Sequence, residues 1–335
     1  MRVVVLCLLA GQFLAGQAPR ISIIDFYGLE RLSDTRVRQA LAVQEGDPLP
    51  PSKAAAEERL EDLDGVVLAR LEAVCCEGDG AILFVGIEEK GGSHFEPRPA
   101  PASSVVLAED IIKTHREFLD LYARSARLGG PGDSLAKGYA LSADPQVRAY
   151  QERFVELAGQ HFEDVKRVLE ESAEPEHRAI AAYIIGYAPD RKAAVEALQY
   201  ALQDAEPTVR HTALRALAAI AVFAAKNPDA GIHISPTWAI EMLNSIVWGD
   251  RTSAADLLVI LTEDRNQGTL DQLRDRALSS LAEMARWKSL PYALPPYVLL
   301  GRMAGLPEDQ IHETWSKGER DKVITEQAAR LRHRG

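Results

Sequence analysis

Two architectures in tandem are predicted by this sequence: a small α+β unit, then an all-α solenoid. Three observations carry that prediction. Residues 20–90 alternate β-rich runs with two short helical ones in the order strand, helix, helix, strand, strand. Residues 91–104, "GGSHFEPRPAPASS", are rich in Gly, Pro and Ser and read as an extended connector. Beyond them one helix entrance is written three times, at Asp144-Pro145, Glu174-Pro175 and Glu206-Pro207. A helix pair repeated at roughly 30-residue spacing is the mark of stacked repeats.

Taken in order, residues 1–18, "MRVVVLCLLAGQFLAGQA", begin with Arg2, run apolar and end in small residues. That is the pattern of a secretory signal, with Gly16 and Ala18 before the cut. The apolar run is short of the roughly 20 residues a membrane span needs. Pro19 would lead the mature chain and suits signal peptidase badly, so an uncleaved anchor is the alternative. Export is expected, to the periplasm or the outer membrane, or to a periplasm-facing anchor in the inner membrane. The N-terminal segment leaves membrane association open. No second run of spanning length is expected.

The 335 residues carry 38 Lys and Arg against 49 Asp and Glu, a net charge of −11. Without a basic block, so acidic a chain is not expected to bind nucleic acid, whose phosphates must be neutralised. Beyond the first eighteen residues the cysteines are Cys75 and Cys76. Strand neighbours point to opposite faces, so two separate thiols are expected, and their spacing is not that of a metal site.

Within 20–90, "RISIIDFYG" is a strand closed by Gly28, and "SDTRVRQAL" starts a helix on a capping Ser or Asp. "EGDPLPPS" is turn chemistry, "SKAAAEERLEDL" a second helix, and "GVVLARLEAV" and "AILFVGIEE" two more strands. This ordered pattern, "ISIIDFYG", "LSDTRVRQAL", "EGDPL", "ERLEDLDGVVLARLEA" and "AILFVGIEEK", resembles a POTRA domain. The resemblance implies a place in the bacterial envelope and binding to proteins, often by adding a strand to a sheet edge. A β-barrel would follow in outer-membrane builders. Here the following segments are helical, which does not support barrel insertion.

Residues 105–143 hold an amphipathic stretch, "LAEDIIKTHREFLDLYARSARL", and a loop, expected as a helical cap. Repeats are expected over 144–287, with a C-terminal helical cap and tail at 288–335. Pro145, Pro175 and Pro207 each open a helix at the position where the missing N–H costs nothing. Three residues on stand Arg148, Arg178 and Arg210, expected to tie one turn to the acid of a neighbouring repeat. "DAEPTVRHTALRAL" and its copies resemble HEAT repeats, best over about 174–221 and more weakly at 144–173 and 250–287. In "WGDRT" (248–252), Asp250 and Arg251 are able to pair.

A search for chemistry yields little. "SLAK" (134–137) has a serine-enzyme spacing without its companion motifs. The eight His show no metal-protease spacing, and no Gly-rich phosphate loop is present. No cofactor is expected, and an enzyme role, as a cell-wall-acting enzyme or subunit, is the minor alternative. Second helices line the inner side of such solenoids, so Arg191, Lys192, Glu196, Gln199, Glu241 and Asn244 are the candidate partner contacts. The expected function is a non-catalytic protein-interaction scaffold of the envelope, binding through the sheet edge and the solenoid's concave face. An anchored accessory of outer-membrane or cell-division assembly is the nearest variant.

Overall fold

The computed structural model describes residues 19–77, 80–129 and 132–332. The expected signal segment, residues 1–18, lies outside them. The chain divides into two compact units. One is Pro97–Trp238; the other joins the described parts of Ala15–Glu96 and Ala239–Gly335. This division cuts the chain at other places than the borders expected from composition.

The discontinuous unit starts with β1 (Ile21–Tyr27), α1 (Asp34–Leu41), α2 (Lys53–Glu61), β2 (Val66–Glu77) and β3 (Gly80–Glu89). The strand–helix–helix–strand–strand order is the one expected. Ser33 and Ser52 cap the two helices, each accepting a backbone N–H three residues on. The sheet order is β1-β3-β2, with β3 parallel to β1 and antiparallel to β2. One face buries Ile24, Leu71, Leu83 and Val85 against Val37, Leu41, Ala56 and Leu60 of the helices. Gly28 ends β1 at φ +81°, where a Cβ would sit 2.0 Å from the Ile87 carbonyl oxygen. Cys75 and Cys76 are bonded to each other across a cis peptide, which corrects the expectation of two separate thiols.

Unit Pro97–Trp238 contains α3 (Glu109–Arg127), β4 (Asp133–Ser134), β5 (Leu141–Ser142), α4 (Pro145–Gln160), α5 (Phe162–Glu171), α6 (Pro175–Ile185), α7 (Arg191–Ala201) and α8 (Pro207–Lys226). First helices α4, α6 and α8 pack in succession, and second helices α5 and α7 pack side by side, giving two layers. α3 lies on α4 and α6. Its Phe118 meets the rings of Phe154 at 5.2 Å and Tyr183 at 5.5 Å, so the expected cap covers its apolar face there. Among the described residues α8 is the one helix long and apolar enough to cross a bilayer. That corrects the expectation of no second apolar run. In this unit Val209, Ala213, Leu214, Leu217 and Ile220 of α8 are buried, and α8 packs on α6 and α7.

The chain continues through α9 (Thr237–Met242), α10 (Trp248–Leu261), α11 (Gln267–Met284), α12 (Leu290–Met303), α13 (Glu308–Ser316) and α14 (Arg320–Arg332). α12 is the hub, touching α10, α11, α13 and α14. These helices cover the sheet face that α1 and α2 leave open. Phe84 of β3 lies 5.0 Å from both Trp248 and Trp287 and 5.6 Å from Tyr292. Trp287 donates its indole N–H to the Phe26 carbonyl at 3.3 Å. Gly86 leaves room for the Tyr27 ring, which a Cβ would approach to 2.5 Å. With both faces covered, β3 is buried along nearly its whole length. That explains its unbroken apolar run, which an open antiparallel edge would not need. Trp248 and Trp287 are buried in this core.

Candidate interaction surface

Each helix entrance is built on one local device. Arg148 donates to the Ser142 carbonyl at 2.7 Å, Arg178 to that of Ser172 at 2.9 Å, and Arg210 to that of Asp204 at 2.7 Å. Arg251 does the same to Ser245 at 2.6 Å. The side chain of that earlier residue turns back to accept the N–H two residues on, at Asp144, Glu174, Glu206 and Val247. The device is thus Ser or Asp, five residues, then Arg. It orders the corner and gives a donor to the carbonyl of the corner residue, which lies at or past the end of the preceding element.

Pro145, Pro175 and Pro207 stand at the first helical positions, after Asp144, Glu174 and Glu206. Arg178 also makes a two-pronged pair with Asp204 of the following corner, both bonds at 2.8 Å and both groups buried. Such a fork fits the carboxylate's geometry. Arg148, at the first entrance, is exposed.

The fourth corner, Ser245–Arg251, was missed in the sequence because Trp248 stands where the other corners have Pro. Asp250 accepts from the Ser245 hydroxyl at 2.7 Å. Arg251 faces Glu283 at 3.5 Å and lies 4.8 Å from the centre of the Tyr27 ring. Glu283 in turn accepts the N–H of Gly28 at 2.8 Å and of Leu29 at 3.3 Å. Burial pushes the Glu283 carboxyl above its ordinary range and the Arg251 guanidinium below its own, and their attraction opposes both. The Ser or Asp six positions before the arginine, in "SADPQVR", "SAEPEHR", "DAEPTVR" and "SIVWGDR", is the signal that finds all four.

The six candidate contacts separate. Lys192 and Glu196 are exposed on α7. Arg191 is held inward: it stacks 4.5 Å from the Tyr139 ring centre and bonds the carbonyls of Ala188 and Lys137. Gln199 is half-buried and accepts the Ser235 N–H at 2.6 Å. In the other unit, Glu241 pairs with Arg276 at 2.8 Å. Asn244 is buried, donating to the Arg276 carbonyl at 3.0 Å and accepting from Ser280 at 2.7 Å. Asn244 is therefore corrected from a surface contact to a tie between α11 and the turn after α9.

The sheet edges are engaged by the chain itself. On the β1 edge, Ile24 N–H goes to Glu45 at 3.1 Å, beside the Trp287 and Glu283 bonds. On β2, the N–H groups of Ala69 and Leu71 go to Glu61 at 3.0 Å and Glu57 at 2.8 Å. Carboxylates placed on edge N–H groups block the addition of another strand.

Residues 98–103 of the segment expected as an extended connector lie on the repeats. Arg98 N–H donates to the Gln203 carbonyl at 2.7 Å, and its guanidinium stacks 3.3 Å from the Tyr200 ring centre. Ser103 bridges Ser172 in parallel. Elsewhere, the hydroxyl of Ser134 in "SLAK" accepts the Ala136 N–H, and the Lys137 carbonyl accepts from Arg191. Among the described residues, no three His, Cys, Asp or Glu are grouped to hold a metal ion.

Residues 163–233 match the family of HEAT repeats, which covers α5 to α8. No curated protein matches this chain. Among solved structures, a designed armadillo repeat protein, YIII(Dq)4CqI, is similar at 17% identity. It covers 59% of this chain and 97% of its own, with a TM-score of 0.32. The match to the family model shows HEAT-like helical repeats over 163–233, and repeats of this kind commonly bind proteins; the other unit holds the small sheet.

Proposed function

We propose that the chain is a non-catalytic protein-interaction scaffold of the bacterial cell envelope. The observation that carries this reading is the helix stacking by one repeated corner. It fixes α5 and α7 side by side and turns Glu163, Asp164, Arg167, Lys192 and Glu196 to solvent. A rigid row of helices with mixed charges suits a partner chosen by charge complementarity. For the small region, the POTRA-like reading draws support from its strand–helix–helix–strand–strand order. Its second sheet face is taken by α10 to α12, and its edges are capped, so partner binding is assigned to the repeats. The envelope location rests on the sequence of residues 1–18.

Deleting residues 191–203 would be a poor test, because α7 buries Ala194, Val195, Ala197, Leu198 and Ala201. The better test is affinity purification of the full chain from host membranes, beside the double charge reversal Lys192→Glu/Glu196→Lys. The scaffold reading expects a defined protein with the wild type and its loss with the reversed pair. If nothing co-purifies with either chain, the reading fails.

A further inference from the structure

The corners before the entrances share one more property. At three of them an extended piece of chain pairs with the backbone beside the Ser or Asp. At Ser142 the piece is β4, with Ser134 opposite Leu141 and Asp133 opposite Ser142. At Ser172 it is Ser103, whose N–H donates to the Glu171 carbonyl at 3.1 Å and whose carbonyl accepts the Ala173 N–H at 2.8 Å. At Asp204 it is Arg98, donating to the Gln203 carbonyl. Glu171 and Gln203 are equivalent, each just before the corner residue. Arg98 and Ser103 therefore take successive corners of one ridge, along the ends of α7 and α5.

The hold on this strap is polar. Pro99, Ala100, Ala102, Ser104 and Val106 face solvent, and the first buried apolar side chain is Leu107, just before α3. Segments with exposed hydrogen bonds and few apolar anchors open at low free-energy cost. What they cover here is a set of carbonyls at helix C-terminal ends, where the dipole favours cations and N–H donors. Tyr200 adds a ring face, and Arg98 also donates to its carbonyl at 2.7 Å. Main-chain pairing tolerates many sequences, so selectivity falls to the arginine.

We propose that the ridge over α5 and α7 is a docking site for an extended, arginine-bearing peptide, and that residues 97–104 are its resident intramolecular occupant. This rests on the scaffold reading and names its partner's chemistry. Tethered at both ends, the strap competes at an effective concentration on the order of millimolar. A partner peptide gains the ridge only when the strap lifts.

The probe is a fluorescent peptide, EPRPAPASS, copying residues 96–104. It is titrated into the full wild-type chain and into the full-length double variant Arg98→Ala/Ser103→Pro. Binding to the variant at least about tenfold tighter than to the wild type is expected, since the tethered competitor is weakened. A peptide with alanine in place of arginine should lose most of that gain. Equal binding to both chains, or no need for the arginine, overturns the proposal. Hydrogen exchange of the wild-type chain gives a second test that needs no variant. Ser103 and Ala173 amides should exchange far faster than those in the middle of α7, and equal protection would overturn the proposal too. Either failure leaves the scaffold reading standing, because that depends on co-purification and on Lys192 and Glu196.

Discussion

Arg178 and Arg251 occupy the same corner position and differ in what they do with the rest of the guanidinium. Both donate to the carbonyl six residues back. Arg178 then forks onto Asp204, the corner residue of the next repeat. Arg251 instead faces Glu283 and the Tyr27 ring, and through Glu283 holds the end of β1. One local device thus serves two ends. In the first unit it binds repeat to repeat; in the second it binds a helix corner to the small sheet. The corner is local sequence chemistry, whereas the outward partner is set by whatever element packs next.

The comparison can be broken most forcefully at the aromatic contact in the second unit. Trp287→Ala should cost about 3–5 kcal/mol in urea unfolding, since a buried indole leaves a cavity. In the first unit, Asp204→Ala leaves the buried Arg178 uncompensated and should cost about 3–5 kcal/mol, at the lower end of that range. The apolar pair Arg178→Met/Asp204→Leu should cost much less than Asp204→Ala alone. Glu283→Gln keeps one of the two acceptor oxygens used by Gly28 and Leu29, removes the charge facing Arg251, and should cost about 1–3 kcal/mol. A cost equal to that of Asp204→Ala would mean the two clamps are equivalent.

One pH effect is expected in the first unit. Burial against Phe118, Phe154 and Tyr183 lowers the pKa of His115 to about 4 from 6.5, with the Glu176 charge opposing. The native state keeps His115 neutral, while the unfolded chain takes up the proton first. Its contribution to stability is therefore full above pH 6.5 and lost as pH falls from 6.5 towards 4. Melting temperatures at pH 7 and pH 5 should show a larger drop for the wild type than for His115→Phe. The smallest effect is expected at the surface: Lys192→Glu/Glu196→Lys should move stability by no more than about 0.5 kcal/mol.

Much of this was legible in the sequence because it is local. The strand order, the serine caps and the three Pro entrances follow from short-range patterns. The fourth corner was hidden because Trp248 replaces the proline, although Ser245 and Arg251 keep the spacing. Asn244 could not be told from Lys192 by pattern, since both are polar residues on short helical runs. Only the packing of Ser280 and the Arg276 carbonyl around Asn244 buries it. The Pro and Gly content of the strap reads only as an extended connector. Apart from the Arg98 guanidinium, its hold comes from main-chain hydrogen bonds, which composition does not reveal. Nor does period or composition pair β3 with helices some 160 residues away; Phe84, Trp248 and Trp287 meet only in the folded chain.

That long-range pairing is the central claim, that both ends of the chain build one unit, and it has a direct test. A chain lacking residues 19–96 would strip Trp248 and Trp287 of Phe84 and Tyr27, and its tryptophan emission can be compared with that of the full chain. The account predicts a red-shifted emission maximum and a lower, broader melt of the C-terminal helices. An unchanged emission maximum and an unchanged melt would contradict it.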